Sequence, residues 1–426
     1  MNRRAVRGAI GTMDLEVGAS LSGFDVLMSL FTGMRGPLDQ PGRGKWYGHL
    51  YSANVTFINI SLFTNVLTAG LVCFSPGVPV EVRCFTGFPI TAGTLAIIRR
   101  IDMYLNSDKY KDLTERYLSL YPDSPELKAD VQKYGKIIRS IPRIMFLFTA
   151  VPMVTVGLLP AVIAITGGPR DLGVPAIYPF DPAEYIFVFC FLCFFQSTAA
   201  FHSTLSSLLF ENMFNTFACR QLALTKHLSR ELYRILSTAK VDVKGVATFE
   251  SHDGTLMSKE ESNQTVLAEL KQWVKNHQQS SRLARDLQDV YSISLFVQFV
   301  FTGSILCMSA FVVANVVGGI VKVIFCGFYV LGLMVELLIT CRLGNLILYE
   351  SDSLEAMIEG THVYALPGNI YKEWLRMILI KAKVPTKIVA VSLFPLDVET
   401  FKSLLVTSYS FFTLLKTMQH LDLRDS

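Results

Sequence analysis

The stretch FPLDVETFKSLLVTSYSFFTLLKTMQ, residues 394–419, decides how this chain folds. Pro395 ends the segment before it, and the Asp397 side chain can accept hydrogen bonds from the free N–H groups of a first helical turn. Residues 403–415 carry no charge. A helix over 398–419 would be roughly 33 Å long, which is enough to cross a bilayer. The stretch therefore predicts a membrane-spanning helix over about 397–419.

This predicted span carries many hydroxyl groups on one face. Steps of three, four and seven residues separate Thr400, Ser403, Thr407, Ser410 and Thr417, and such steps put side chains on one side of a helix. A polar face avoids lipid. It either packs closely against other helices in the membrane or meets water in a pore, and the sequence leaves both interpretations open.

The whole chain has the composition of a polytopic membrane protein. Of its 426 residues, 51% are hydrophobic and only 17% are charged, and the mean hydropathy is +0.40. Such values exclude an ordinary soluble domain. The eight cysteines lack zinc-ligand spacing, and the common nucleotide-binding, zinc-protease and serine-hydrolase motifs are absent. We predict no catalytic residue, cofactor, metal site, enzymatic activity or nucleic-acid partner.

Uncharged apolar runs predict an all-α protein with seven transmembrane helices. Six of these helices lie within residues 51–345, at about 51–74, 84–98, 144–166, 185–210, 291–316 and 320–345, and the seventh is 397–420. The remaining segments are an N-terminal stretch 1–50, helical loops 99–143 and 211–290, an amphipathic region 346–396 and a tail 421–426. We expect 213–240 and 262–290 to be two long helices on either side of a flexible loop around 245–259.

The distribution of charge predicts the orientation. Segments 99–143, 211–290 and 350–396 are rich in Lys and Arg, whereas the loop 167–184 has an acidic excess. With seven spans, the three basic segments share the side of the N-terminus. The positive-inside rule then places the N-terminus in the cytosol and the C-terminus outside the cell. This orientation is opposite to that of a G-protein-coupled receptor.

The amphipathic region contains a predicted helix with one apolar stripe. Pro385 ends this helix. The stripe comprises Ile370, Trp374, Leu375, Ile378, Leu379 and Ala382, and charged residues occupy the other face. A cytosolic helix of this kind must bury its stripe against neighbouring helices of the same subunit or against another subunit. The second alternative is preferred.

Three groups of residues resemble the insect odorant receptor family. They are Phe394-Pro395-Leu396 followed by Glu399-Thr400-Phe401 and Thr407 to Leu415, then Tyr178 to Asp181, and Tyr364 with Pro367 and Trp374 to Lys387. In that family, four subunits pack through a cytosolic anchor region, and each contributes its last helix to a central cation pore. The resemblance implies a plasma-membrane protein of sensory dendrites. It also implies an odorant-specific tuning subunit with odorant co-receptor subunits, a small volatile organic ligand and membrane lipids as partners.

The resemblance also suggests functional residues. The family places its odorant pocket among the second, third, fourth and sixth spans, where the candidates are Phe85, Phe88, Thr91, Met153, Thr155, Gly157, Tyr185, Phe189, Gln196, Phe325, Phe328 and Tyr329. Matching the last helix puts Phe412 near a hydrophobic gate, Ser408 one turn below and Lys416 one turn outward. The hydroxyl stripe lies on nearly the opposite face. We prefer the Phe412 face, because gates that close by dewetting need bulky apolar groups.

Several alternatives remain. Glu336 in the sixth span is a candidate functional carboxylate, because acids inside spans are costly, although an interfacial position is also open. A gustatory receptor of the same superfamily is a second possible function, but Leu415 and Lys416 stand where its terminal motif has Gln-Phe. A secondary transporter is a third, but the sequence shows no inverted repeat.

Overall fold

The computed structural model describes residues 45–119, 124–136, 154–243, 259–315, 320–360, 369–391 and 393–425. These residues form long α-helices, which confirms the predicted fold class. The helices are α1 Lys45–Phe74, α2 Val80–Leu105, α3 Ser107–Ser119, α4 125–136, α5 Leu159–Ile165 after a π-helical turn Val154–Leu158, α6 Ile186–Val243, α7 Lys259–Ala314, α8 Ile320–Gly360, α9 Asn369–Ala382 and α10 Val398–Asp425. Two short strands, β1 Val389–Ala390 and β2 Phe394–Pro395, precede α10. Residues 144–153 of the predicted third span lie outside the described residues.

Two helices are much longer than predicted. α6 has 58 residues and α7 has 56, so α6 is about 87 Å long at 1.5 Å per residue. Residues 213–240 and 262–290 are helical as predicted, but each of these helices is continuous with a predicted span. The buried apolar face of α6 continues beyond the uncharged run, through Leu222, Leu228 and Leu232. This face therefore has no break at which one helix would end and another begin.

Four described helices are long and apolar enough to cross a membrane. Their apolar segments are Ser52–Phe74, Ile186–Ser237, Gln264–Ala314 and Cys326–Ile358. Neither α2 nor α10 is in this set. Arg83, Arg99 and Arg100 lie within α2, and α10 carries the hydroxyl stripe, so the most apolar segment of each is less apolar than those of the other four helices.

An aromatic cluster holds α3, α6 and α7 together. Tyr291 of α7 is fully buried, and its ring centroid lies 5.3 Å from that of Tyr110, 5.1 Å from Phe210 and 5.2 Å from Phe214. Edge-on and tilted pairs at such distances are worth about 0.5–1.5 kcal/mol each beyond area burial. The cluster therefore fixes the short helix α3 on the two long helices.

The apolar stripe of α9 packs within the same chain. Ile378 and Ala382 are buried in a cluster with residues of α6, α7 and α8, and Trp374 and Leu379 pack against it half-buried. The side chain of Leu375 lies outside the described ones. Of the two alternatives, the described residues show packing within the subunit, because α6 and α7 extend far enough to cover the stripe.

The segment before α10 is tied to α7 and α8. β1 and β2 pair antiparallel, and the Gln288 side chain on α7 accepts a hydrogen bond of 3.1 Å from the Val389 N–H. Asp397 then caps α10, since its Oδ1 accepts a hydrogen bond of 2.7 Å from the Thr400 N–H. This confirms the predicted start of the last helix, which continues to Asp425 rather than ending near 419.

Candidate functional site

A cavity opens between α1, α2, α6 and α8. The centre of a water-sized sphere can reach about 40 Å³ of it, which is room for roughly three water molecules. The lining residues are Leu62, Asn65, Val66, Phe85, Phe88, Pro89, Ala92, Gly93, Val174, Gln196, Ala199, Ala200, Ser203, Thr204 and Tyr329. Most of them are apolar or aromatic, so the cavity suits a small apolar molecule.

Two aromatic rings form one wall of this cavity. Phe88 of α2 is 3% exposed, and its ring meets that of Tyr329 of α8 edge-on, with 4.5 Å between centroids. Phe85 is also buried one turn away. A larger molecule would fit only if these rings moved, because the space between the walls is small. The position of α8 relative to α2 therefore sets the size of the cavity.

Most polar groups of the lining already have partners in the chain. The Gln196 amide donates to the Val174 carbonyl at 2.9 Å and accepts from the Val174 N–H at 3.3 Å, which holds the loop before α6 over the cavity. The hydroxyls of Ser203 and Thr204 donate to the Ala200 carbonyl. Asn65 is half-buried on α1, and its side chain has no hydrogen bond to the described residues.

Four predicted odorant-binding residues meet at this cavity. They are Phe85, Phe88, Gln196 and Tyr329. The other described candidates do not line it. The Thr91 hydroxyl donates a hydrogen bond to the Phe88 carbonyl, and Gly157 packs on Ser197. Phe189 is buried beside α5, whereas Tyr185 and Phe328 are exposed. Met153 lies outside the described residues, and the structure does not describe the side chains of Thr155 and Phe325. The sequence analysis missed α1, although Asn65 is a polar residue in an uncharged span.

One face of α10 packs on the chain itself. Ser408 is 6% exposed, and its hydroxyl lies 3.3 Å from the Gly303 carbonyl of α7. Phe412 is half-buried and packs with Leu415 against a cluster that includes residues of α2 and α7. The face of α10 that the sequence analysis preferred as the pore lining, that of Ser408 and Phe412, therefore contacts the same chain. Lys416 is exposed.

The opposite face of α10 points away from the chain. Ser403, Thr407, Ser410 and Thr417 are all exposed there, whereas Thr400 is half-buried near the start of the helix. These exposed hydroxyls are therefore available for contact with a neighbouring subunit or with water.

Known proteins have similar sequences. A family model described as 7tm Odorant receptor matches residues 84–409. Odorant receptor Or2 of Anopheles gambiae is 27% identical over 169 residues, which is 39% of this chain and 43% of that protein. Odorant receptor Or1 of Anopheles gambiae is 23% identical over 261 residues, 59% of this chain and 61% of that protein. The chain thus spans less than two thirds of the length of these relatives.

Solved structures show the same fold. The insect olfactory receptor OR5 from Machilis hrabei in complex with eugenol superposes with a TM-score of 0.73 and 14% identity, over 93% of this chain and 98% of that chain. A second structure of the same receptor gives a TM-score of 0.70 over 94% of this chain and 99% of that chain, again with 14% identity. Because the family model covers well over half of the sequence, this chain belongs to the 7tm odorant receptor family.

Proposed function

We propose that this chain is the odorant-binding subunit of a ligand-gated, non-selective cation channel, opened by a small apolar volatile in the cavity between α1, α2, α6 and α8. The observation that carries the proposal is that cavity, with its buried aromatic wall of Phe88 and Tyr329. The Machilis hrabei receptor, which shares the fold, was solved in complex with eugenol. Binding favours the open state to the extent that the odorant binds it more tightly.

The cavity selects ligands by size and by one polar contact. Burial of apolar surface contributes about 25 cal/mol per Å², so a small hydrocarbon skeleton gains most of its affinity from Phe85, Phe88 and Tyr329. The Asn65 amide can donate to a carbonyl or ether oxygen or accept from a hydroxyl. The preferred ligands are therefore small volatiles with one oxygen function.

Replacement of Phe88 by Ala should change which odorants activate the channel. Loss of the ring enlarges the cavity and removes apolar contact, so we expect the half-activating concentration of small odorants to rise about ten-fold or more, while bulkier odorants gain potency. Dose–response currents measure both effects. The matched control is Phe187→Ala on α6, whose ring is 88% exposed. Equal shifts in both variants, or none in Phe88→Ala, would contradict the assigned pocket.

The proposed assembly is a heterotetramer with odorant co-receptor subunits in the plasma membrane of sensory dendrites. Its N-terminus is cytosolic and its C-terminus is extracellular, as the basic segments require. Met377 and Ile380 of α9 are 53% and 61% exposed and offer apolar contact to a second subunit. Epitope tags at the two ends test the orientation: in intact cells, antibody should reach only a C-terminal tag. Access to an N-terminal tag would support a G-protein-coupled receptor instead.

We also propose that α10 lines the pore with its hydroxyl face. The packing of Ser408 and Phe412 on α7 and α2 supports this choice over the Phe412 face. Ser408→Cys and Ser410→Cys form a matched pair on opposite sides of one helix. A charged thiol reagent should block the odorant-evoked current of Ser410→Cys and leave that of Ser408→Cys unchanged. Block of the Ser408→Cys current alone would show instead that the Phe412 face of α10 lines the pore.

A further inference from the structure

A charged cluster is buried between α2, α6, α7 and α8. Arg99 is 0% exposed, Glu211 is 3%, Gln298 is 3% and Glu336 is 7%. Glu336 is therefore buried inside the helix bundle. The energetic cost of burying such groups is several kcal/mol per ion unless they are paired, so their mutual arrangement must compensate for it.

Glu211 is the carboxyl group of this cluster that pairs with Arg99. Its Oε1 accepts a hydrogen bond of 3.1 Å from Arg99 Nη2 and a second one from Gln298 Nε2. The Arg99 guanidinium also lies over the Phe210 ring, 4.7 Å from its centroid. Two donors therefore stabilise Glu211 at one oxygen, and the Phe210 ring stabilises the Arg99 cation from its other side.

Glu336 must carry a proton. Thr340 and Asn215, each one turn beyond Glu336 and Glu211, are hydrogen-bonded at 3.3 Å, which places the two carboxyl groups at the same level between α8 and α6. Two buried carboxyl groups beside one guanidinium are not both ionised, because like charges this close in a buried site disfavour each other. Glu211 already accepts from Arg99 and Gln298, so the proton resides on Glu336. Among the described residues, Arg99, Glu211 and Tyr329 are the other titratable groups that act on Glu336, while α7 contributes the uncharged Gln298.

The cluster lies directly beneath the cavity. Ala92, Thr204 and Tyr329 line the cavity on α2, α6 and α8, and Arg99, Glu211 and Glu336 each follow seven residues later on the same helices. Seven residues are two helical turns, or about 10 Å. On each helix the cavity residue and the cluster residue therefore share a face, and the cluster fixes the spacing of the helices that form the cavity.

We propose that Arg99, Glu211 and protonated Glu336 form a charge-balanced site that positions α8, and with it Tyr329, against α2 and α6, and so sets the sensitivity of the receptor to odorants. Glu336 acts as a neutral hydrogen-bond donor. Arg99 balances the single negative charge of Glu211. All three are positioning residues, since none of them lines the cavity.

The proposal predicts different results for four variants, expressed with co-receptor subunits. Glu336→Gln keeps a neutral donor, so its surface amount and half-activating odorant concentration should stay within about two-fold of wild type. Glu336→Leu removes the hydrogen bond and should raise the half-activating concentration about ten-fold. Arg99→Met leaves Glu211 unpaired and should lower the surface amount about ten-fold, whereas Arg99→Met with Glu211→Gln restores neutrality and should recover most of it.

An infrared measurement tests the proton directly. Purified full-length wild-type receptor should show the C=O stretch of a protonated carboxyl that Glu336→Gln lacks. The cluster's role in odorant sensitivity rests on the proposed function, but surface amount and infrared absorption do not. If wild type gave no odorant current, the channel proposal would fail while these two readouts still tested the cluster.

Three outcomes would overturn the proposal. One is that the double variant reaches the surface no better than Arg99→Met. Another is that Glu336→Gln behaves like Glu336→Leu, which would make Glu336 an ionised carboxylate. The third is an infrared spectrum that is the same with and without Glu336.

Discussion

Gly344→Ala is expected to lower the amount of folded receptor at the cell surface about ten-fold or more. A Cβ atom at Gly344 on α8 would lie 2.6 Å from Leu396 Cβ and 3.1 Å from the Leu396 carbonyl carbon, and closer still to its oxygen. These atoms include backbone of the segment that leads into α10, so no side-chain rotation relieves the clash. Overpacking of this kind costs about 1–3 kcal/mol or more. Surface biotinylation and thermal unfolding in detergent measure the loss.

The same helix offers a matched control. A Cβ atom at Gly327 would meet no other atom within 4 Å, and alanine is the better helix former by about 1 kcal/mol. Gly327→Ala should therefore be neutral or slightly stabilising. Equal surface amounts for the two variants would show that α8 and the segment before α10 do not approach as closely as described.

Trp273→Ala is expected to have the second large effect. Trp273 of α7 is 2% exposed, its indole N–H donates to the Leu228 carbonyl of α6 at 2.8 Å, and its ring stacks on His277 at 5.0 Å. Truncation of a buried Trp costs about 3–5 kcal/mol. We expect a clear fall in unfolding temperature and surface amount. The half-activating odorant concentration of the remaining receptor should not change, because Trp273 lies outside the cavity lining.

Trp273→Phe separates the two contributions. Phenylalanine keeps most of the buried apolar surface but removes the hydrogen-bond donor, which costs about 1–3 kcal/mol. Its unfolding temperature should fall between those of wild type and Trp273→Ala. A Trp273→Ala receptor as stable as wild type would contradict the account of how the extended parts of α6 and α7 are held together.

The sequence was most informative where local chemistry determines structure. Asp397 follows Pro395 and precedes an apolar run, and a cap at that position depends only on neighbouring residues, so the start of α10 was predictable. The continuity of α6 and α7 with the predicted spans was not predictable. At residue 211 the surface pattern changes from apolar to charged, which suggested a new helix, but the buried stripe continues through that point.

The site was predictable only in part, because it depends on which helices meet. Phe88 and Tyr329 are far apart in sequence, and their meeting followed from the family resemblance rather than from any pattern. Glu336 stood out as a carboxyl in a span. Its partners, Arg99 and Glu211, have the sequence context of ordinary charges at the ends of apolar runs. Only the packing of α2, α6 and α8 shows that the three are one cluster.

The central claim is that this chain detects volatiles as a subunit of a cation channel. Whole-cell current in cells that express this chain alone, co-receptor subunits alone, or both, under a panel of volatile esters, alcohols and terpenes, tests it most directly. The account predicts a cation current evoked by some members of the panel only when both are present. Absence of such a current, with the chain demonstrated at the surface, would contradict the account.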